Sequence, residues 1–152
     1  ESLAQSQALW HVRESIPLAQ AEEGPNIKHD ISVPISRIAD FVAKTNAEIT
    51  AKFPGVRMIV FGHLGDGNIH FHVRAPAGVD AETWRRDVGQ VASRMVHDLV
   101  VAARGSISAE HGIGLLKRDE LAQRKSPVAL QLMRSIKAAL DPLGLMNPGR
   151  VL

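Results

Sequence analysis

Apolar and polar residues alternate with period two early in the chain, two further apolar-rich stretches read as strands, and helical periods fill the intervals between them. In "IKHDISV" (27–33), Ile27, His29, Ile31 and Val33 alternate with Lys28, Asp30 and Ser32, which predicts a strand buried on one side. "VRMIVFGHL" and "NIHFHV" read as two strands that meet at Asp66-Gly67. Residues 3 to 16 set Leu9, Val12 and Ile16 at helical spacing, with Arg13 among them. Pro34 opens a second helix whose stripe is Ile35, Ile38, Val42, Ile49 and Phe53. A third helix over 81–104 carries Trp84, Val88, Val91, Met95 and Leu99 and stops at Gly105. "SISAE" (106–110) reads as a fourth strand and "HGIG" as a loop; two more helices follow, the last opening at Ser126-Pro127. The order is βαββαβ. It predicts an α+β fold in one domain spanning 1–152: a ferredoxin-like antiparallel sheet with its helices on one face and extra N- and C-terminal helices.

Composition narrows the chemistry. At 152 residues, 45% hydrophobic and 22% charged, the chain suits one globular domain with a real core. The net charge of +2 is spread along helices where basic and acidic residues alternate, and only 4% of residues are aromatic, so nucleic acid is not an expected partner. No cysteine is present, which excludes disulfides, thiolate metal sites and a cysteine nucleophile, and fits a reducing compartment. No apolar run is long enough for a transmembrane segment. A cytoplasmic location is therefore expected, with peripheral membrane association of a fuller protein left open. The chain begins Glu1-Ser2-Leu3 with neither a methionine nor a signal-peptide progression, which reads as a processed chain or an excised domain.

The stretch "FGHLGDGNIHFH" (61–72) concentrates His63, His70 and His72 around a glycine-rich turn. A two-residue type I′ turn at Asp66-Gly67 would set His63 directly opposite His70, close enough for two imidazoles to share one ion. The same register sends Val60, Gly62, Leu64, Ile69, Phe71 and Val73 to an apolar face and Phe61, His63, His70, His72 and Arg74 to the other, with Lys28, Asp30 and Ser32 joining the polar side. Glu110, in "SAEHGIG", offers a carboxylate as third ligand beside His111. Two imidazoles and one carboxylate leave a coordination position open. Zinc suits this set best, with manganese and iron(II) as alternatives. A solvated hairpin that merely carries histidines is the competing reading. His11, His29 and His97 have no partner at recognisable spacing, and Asp66 and Asn68 read as turn formers.

Five motifs in order, "WHVRES", "KHDISVP", "FGHLGDGNIHFHV", "SAEHGIGLLKRDEL" and "DPLGLMNPGRVL", resemble the C-terminal domain of FAD-linked oxidases, within the D-lactate, glycolate and D-2-hydroxyglutarate dehydrogenase group of the vanillyl-alcohol oxidase superfamily. The resemblance implies a domain that covers the isoalloxazine of an N-terminal FAD-binding domain, with no dinucleotide-binding glycine motif of its own. It implies metal ligands at His63, His70 and Glu110, a general base at His111, and contacts to the substrate carboxylate from Arg13 and Lys28. His72 falls at a substrate-binding position where some relatives carry asparagine, and Pro17 stands where some carry a hydroxyl. Asn147, in the closing tail, falls where the chain is expected to approach the flavin. The implied reaction is oxidation of a D-2-hydroxy acid to the 2-oxo acid by hydride transfer to FAD. Two other classes stay open: a small-molecule-sensing ferredoxin-like regulatory module, and a metal-dependent hydrolase in which His111 activates a metal-bound water. The uncovered sheet face would also allow a homodimer.

Overall fold

Three seven-residue strands form the central sheet of the computed structural model, which describes residues 2–152: β1 (Asn26–Ser32), β2 (Arg57–His63) and β3 (Asn68–Arg74), antiparallel in the order β1-β3-β2. The helices are α1 (Leu3–Glu22), α2 (Ile38–Lys52), α3 (Ala81–Ala102), α4 (Arg118–Arg124) and α5 (Pro127–Leu140). The class is α+β, as the periodicity predicts. Ile27, Ile31, Ile69, Phe71 and Val73 project from one sheet face into a core completed by Phe41 and Ile49 of α2 and Ala92, Val96 and Val100 of α3. Phe41 meets Phe71 edge-on, with ring centroids 6.5 Å apart. Ser126 caps α5 by accepting from the Ala129 N–H, with Pro127 in the first turn. Among the described residues no helix is long and apolar enough to cross a membrane.

Several expectations change. The fourth strand does not form: Ser106 makes a single bridge to Ser32, by N–H···O=C bonds of 3.0 and 2.9 Å, and the chain then leaves the sheet edge. Ser106 Oγ donates to the Ser108 carbonyl and Ser108 Oγ to the Gly112 carbonyl, while the Asp30 carboxylate takes the N–H groups of 109–111, so the segment curls instead of extending. The hairpin is longer than two residues. Leu64–Asp66 forms a 3₁₀ turn closed by Gly67 at φ +70°, and His63 pairs with Asn68 while Phe61 pairs with His70. A Cβ on Gly67 would overlap the Val33 carbonyl oxygen, so the tight closure requires glycine there. Because the register moves by two residues, the paired strand residues keep their expected faces, but Leu64, expected on the apolar side, lies in the turn and is 68% exposed.

On α3, Val91 is 39% exposed, and the core edge runs instead through Ala92, Val96 and Val100. The helix predicted over 3–16 continues to Glu22 through Pro17, but of its stripe only Ile16 is half-buried. Leu9 and Val12 are 73% and 66% exposed. Instead α1 lies against the polar sheet face through three polar contacts: Arg13 to the Gly62 carbonyl, Gln20 to His72, and Glu23 to Arg74.

His29 is a core histidine. Its Nδ1 lies 2.8 Å from the Phe71 carbonyl and must donate, which leaves Nε2 to accept from Ser93 Oγ at 3.0 Å. Burial drives its pKa down to about 3, so the folded protein keeps it neutral. Between pH 6.5 and 3 the unfolded chain therefore binds the extra proton, and stability falls as pH drops. His97, lowered by burial against the opposing pull of Glu120, acts in the same direction. Denaturant titration should show about 2 kcal/mol lost to His29 between about pH 6.5 and pH 5, with a visibly shallower pH slope in His29→Gln. Equal slopes in the two proteins would contradict the assignment.

Candidate metal centre and substrate face

Asn68, His70, His72 and Arg74 point away from the core because they alternate with Ile69, Phe71 and Val73 along β3. Antiparallel pairing brings Lys28, Asp30 and Ser32 from β1 and Ile59, Phe61 and His63 from β2 onto the same face. His63 and His70 are diagonal neighbours rather than opposed, with ring centroids 5.7 Å apart. Glu110 closes the group. Its Oε1 lies 3.1 Å from His63 Nε2 and its Oε2 lies 3.9 Å from His70 Nε2. One ligand atom from each of the three lies within 4.8 Å of the others. Two imidazoles and a carboxylate suit a divalent ion, and the adjacent Asn68, 3% exposed, has its Oδ1 without a hydrogen-bond partner. The residues present fit a metal.

Asp30, Glu110 and His111 also converge within 4.8 Å, but Asp30 Oδ2 already accepts the backbone N–H groups of Ala109, Glu110 and His111 at 3.3, 2.8 and 2.7 Å. Its Oδ1 accepts from Asn68 Nδ2 at 2.8 Å. Asn68 is therefore a buried strand residue that orients Asp30, not a turn former. Burial would raise the Asp30 pKa, but the donated bonds from His111, Asn68 and Glu110 hold it below the ordinary carboxylate value. The His111 ring stacks on His70 at 6.1 Å and 24°, with Nδ1 3.8 Å from Asp30 Oδ2.

Burial lowers the pKa of His70 against the pull of Glu110 and Asp30, which leaves a neutral imidazole able to act as a ligand. It drives His72 down to about 4, helped by the Lys28 ammonium. His72 Nδ1 lies 2.6 Å from Gln20 Oε1. Neutral His72 donates through Nδ1, and its Nε2 is left as an acceptor.

Arg13 and Lys28 flank these histidines. The Arg13 guanidinium sits 5.2 Å from the Phe61 ring centroid on the β2 side, and Lys28 pairs with His72 across the β1 edge. Lys28, His72 and His111 line an open cleft of about 430 Å³ that Lys117 and Arg150 also border. The residues assigned from sequence thus share one face, apart from Asn147. That residue sits in the C-terminal tail at φ +48° and lines an apolar groove with Met133, Ile136 and Met146, a groove whose lining includes no histidine. Two residues that matter here, Asp30 and Gln20, had no assigned role from sequence, and a third, Asn68, had been read as a turn former. The alternation in "KHDISV" already placed Asp30 on this face; Gln20 is brought there only by the packing of α1.

The family model for FAD linked oxidases, C-terminal domain, matches residues 1–151. The chain belongs to this family. It is 36% identical over 151 residues to a D-2-hydroxyglutarate dehydrogenase of Stutzerimonas stutzeri (strain A1501), covering 99% of this chain and 32% of that protein. It is 40% identical over 151 residues to a D-2-hydroxyglutarate dehydrogenase of Xanthomonas citri pv. viticola, covering 99% and 32%. A mitochondrial D-2-hydroxyglutarate dehydrogenase of Bos taurus is 39% identical over 145 residues, covering 95% and 25%. The chain spans a quarter to a third of the length of these curated relatives. In this FAD-linked oxidase domain, zinc loading followed by gel filtration and elemental analysis should leave near-stoichiometric metal, lost in His70→Ala and Glu110→Ala. Equal retention in all three proteins would place the ion elsewhere.

Proposed function

We propose that this domain forms the substrate side of a flavin-dependent dehydrogenase that oxidises a D-2-hydroxy acid to the 2-oxo acid, working against an FAD-binding domain. The observation that carries this reading is the grouping of His63, His70, Glu110 and His111 on one sheet face between two cations, Arg13 and Lys28. An acid substrate is anionic, and the two cations flank the strand that carries His70 and His72, so its carboxylate can be held by charge-assisted hydrogen bonds. His111, exposed beside the ligand set and oriented by stacking on His70, takes the proton of the C2 hydroxyl. When bound, FAD accepts the C2 hydride, and a divalent ion, zinc by its donor set, acidifies the substrate hydroxyl. His72 supplies a neutral acceptor at the substrate end of the face.

The relatives' names support a 2-hydroxy acid and favour 2-hydroxyglutarate, a diacid for which two separated cations are suited. Exposed apolar residues support a covering domain: Leu9, Trp10 and Val12 on α1, and Val128, Leu132, Ile136 and Leu140 at helical spacing on α5. Burial there would shield the reacting atoms from water. The proposed working compartment is the cytoplasm, which the cysteine-free composition supports.

Steady-state kinetics of the intact protein on D-2-hydroxy acids with an artificial electron acceptor test the roles separately. His111→Ala should lower kcat by roughly 10²–10⁴-fold, the range for loss of a general base. Lys28→Ala and Arg13→Ala should act chiefly on KM, raising it at least roughly tenfold for loss of a charged hydrogen bond. A His111→Ala enzyme with undiminished kcat would remove His111 from the mechanism.

A further inference from the structure

Asp30 is 3% exposed, yet it touches both halves of the proposed centre. We infer that Asp30 is a positioning residue: its Oδ2 holds the backbone that presents Glu110 and His111, and its Oδ1 keeps the His70 proton on Nδ1, so that Nε2 is free for a metal. The inference rests on reading His63, His70 and Glu110 as a metal site.

The first half follows from the backbone. Glu110 and His111 are consecutive, and in an extended strand their side chains would point to opposite sides. Both reach the histidine face because the N–H groups of 109, 110 and 111 converge on one carboxylate oxygen, at 3.3, 2.8 and 2.7 Å. The Ala109 N–H also lies 3.3 Å from the Asp30 carbonyl, which ties the curl to β1 twice. Three parallel donors stabilise an anion, and a neutral side chain of the same shape would receive them less well.

The second half follows from electrostatics. His70 Nδ1 is 3.7 Å from Asp30 Oδ1, too far for a hydrogen bond but close enough for a lone pair on Nδ1 to face a buried carboxylate directly. His70 Nε2 faces Glu110 at 3.9 Å, but the Glu110 side chain is 44% exposed and its charge is screened by solvent. The Asp30 side chain is 2% exposed and is not screened in this way. The proton therefore belongs on Nδ1. A carboxylate behind the non-ligating nitrogen of a metal-binding histidine fixes its tautomer and raises its basicity.

Asp30→Asn separates these roles from simple folding. Its carboxamide oxygen can still accept the three backbone N–H bonds, and Asn68 can flip to present its own oxygen, while an NH₂ group now faces His70. Long-range ¹H–¹⁵N correlation spectra of the metal-free protein at mildly alkaline pH, where imidazole is neutral, read the tautomer directly. The expected result is His70 protonated on Nδ1 in the native protein and on Nε2 in Asp30→Asn. Chelator competition should then show zinc binding weakened roughly 10–100-fold in the variant, the usual cost of losing a supporting partner. Native His70 protonated on Nε2 would overturn the inference whether or not the variant folds. An unchanged tautomer with unchanged zinc affinity in a folded variant would also overturn it. If native His70 carries its proton on Nδ1, moves it to Nε2 in the variant, and yet neither protein binds zinc, the metal reading fails while the positioning role of Asp30 stands.

Discussion

β3 has a hydrogen-bonded neighbour on each edge, so its backbone is satisfied and its side chains must divide strictly between two faces. The rest of the structure depends on that division. Ile69, Phe71 and Val73 take the side where α2 and α3 supply Phe41, Ile49, Ala92, Val96 and Val100. Asn68, His70, His72 and Arg74 are left with the other, where no layer of helices completes a second core. An apolar and a polar surface are thus held one strand thickness apart, and the rigidity of the first fixes the positions of the second.

The polar face is nevertheless not simply solvated. His70 and His72 are 8% and 7% exposed, covered by neighbouring rings, by Gln20 from α1 and by the curled loop after α3. Burial keeps both imidazoles neutral, while Asp30 stays charged because backbone and amide donors replace the water it has lost. The imidazoles and the Asp30 carboxylate thus owe their charge states to separate structural causes.

α1 and α5 show a different balance. Each is amphipathic in composition, but much of its apolar surface faces outward. α1 is anchored by Arg13, Gln20 and Glu23 rather than by Leu9 or Val12. Polar anchors hold α1 across the edge of the histidine face without using its apolar residues. Those residues remain exposed on this chain.

What could be read from the residues in order was whatever depends on local period. Alternation in 27–33, the apolar stretches 56–64 and 68–73 and the turn between them determined the strands and their faces, and a two-residue error in the hairpin register left the faces of the paired residues unchanged because the side-chain period is also two. The convergence of His63, His70, Glu110 and His111 on one face, the set proposed as ligands and base, was legible through residue type, turn chemistry and family motifs. Tertiary structure decided what depends on separate segments meeting. The fourth strand gave way to a curl because a carboxylate some eighty residues earlier competes for its N–H groups, a competition that no local pattern of "SISAE" records. Gln20 reached His72, and the α3 stripe turned toward Ala92 and Val96, for the same reason: each position was chosen by a partner distant in sequence. Local periodicity determined which way side chains point; long-range hydrogen bonding and packing decided which of them meet.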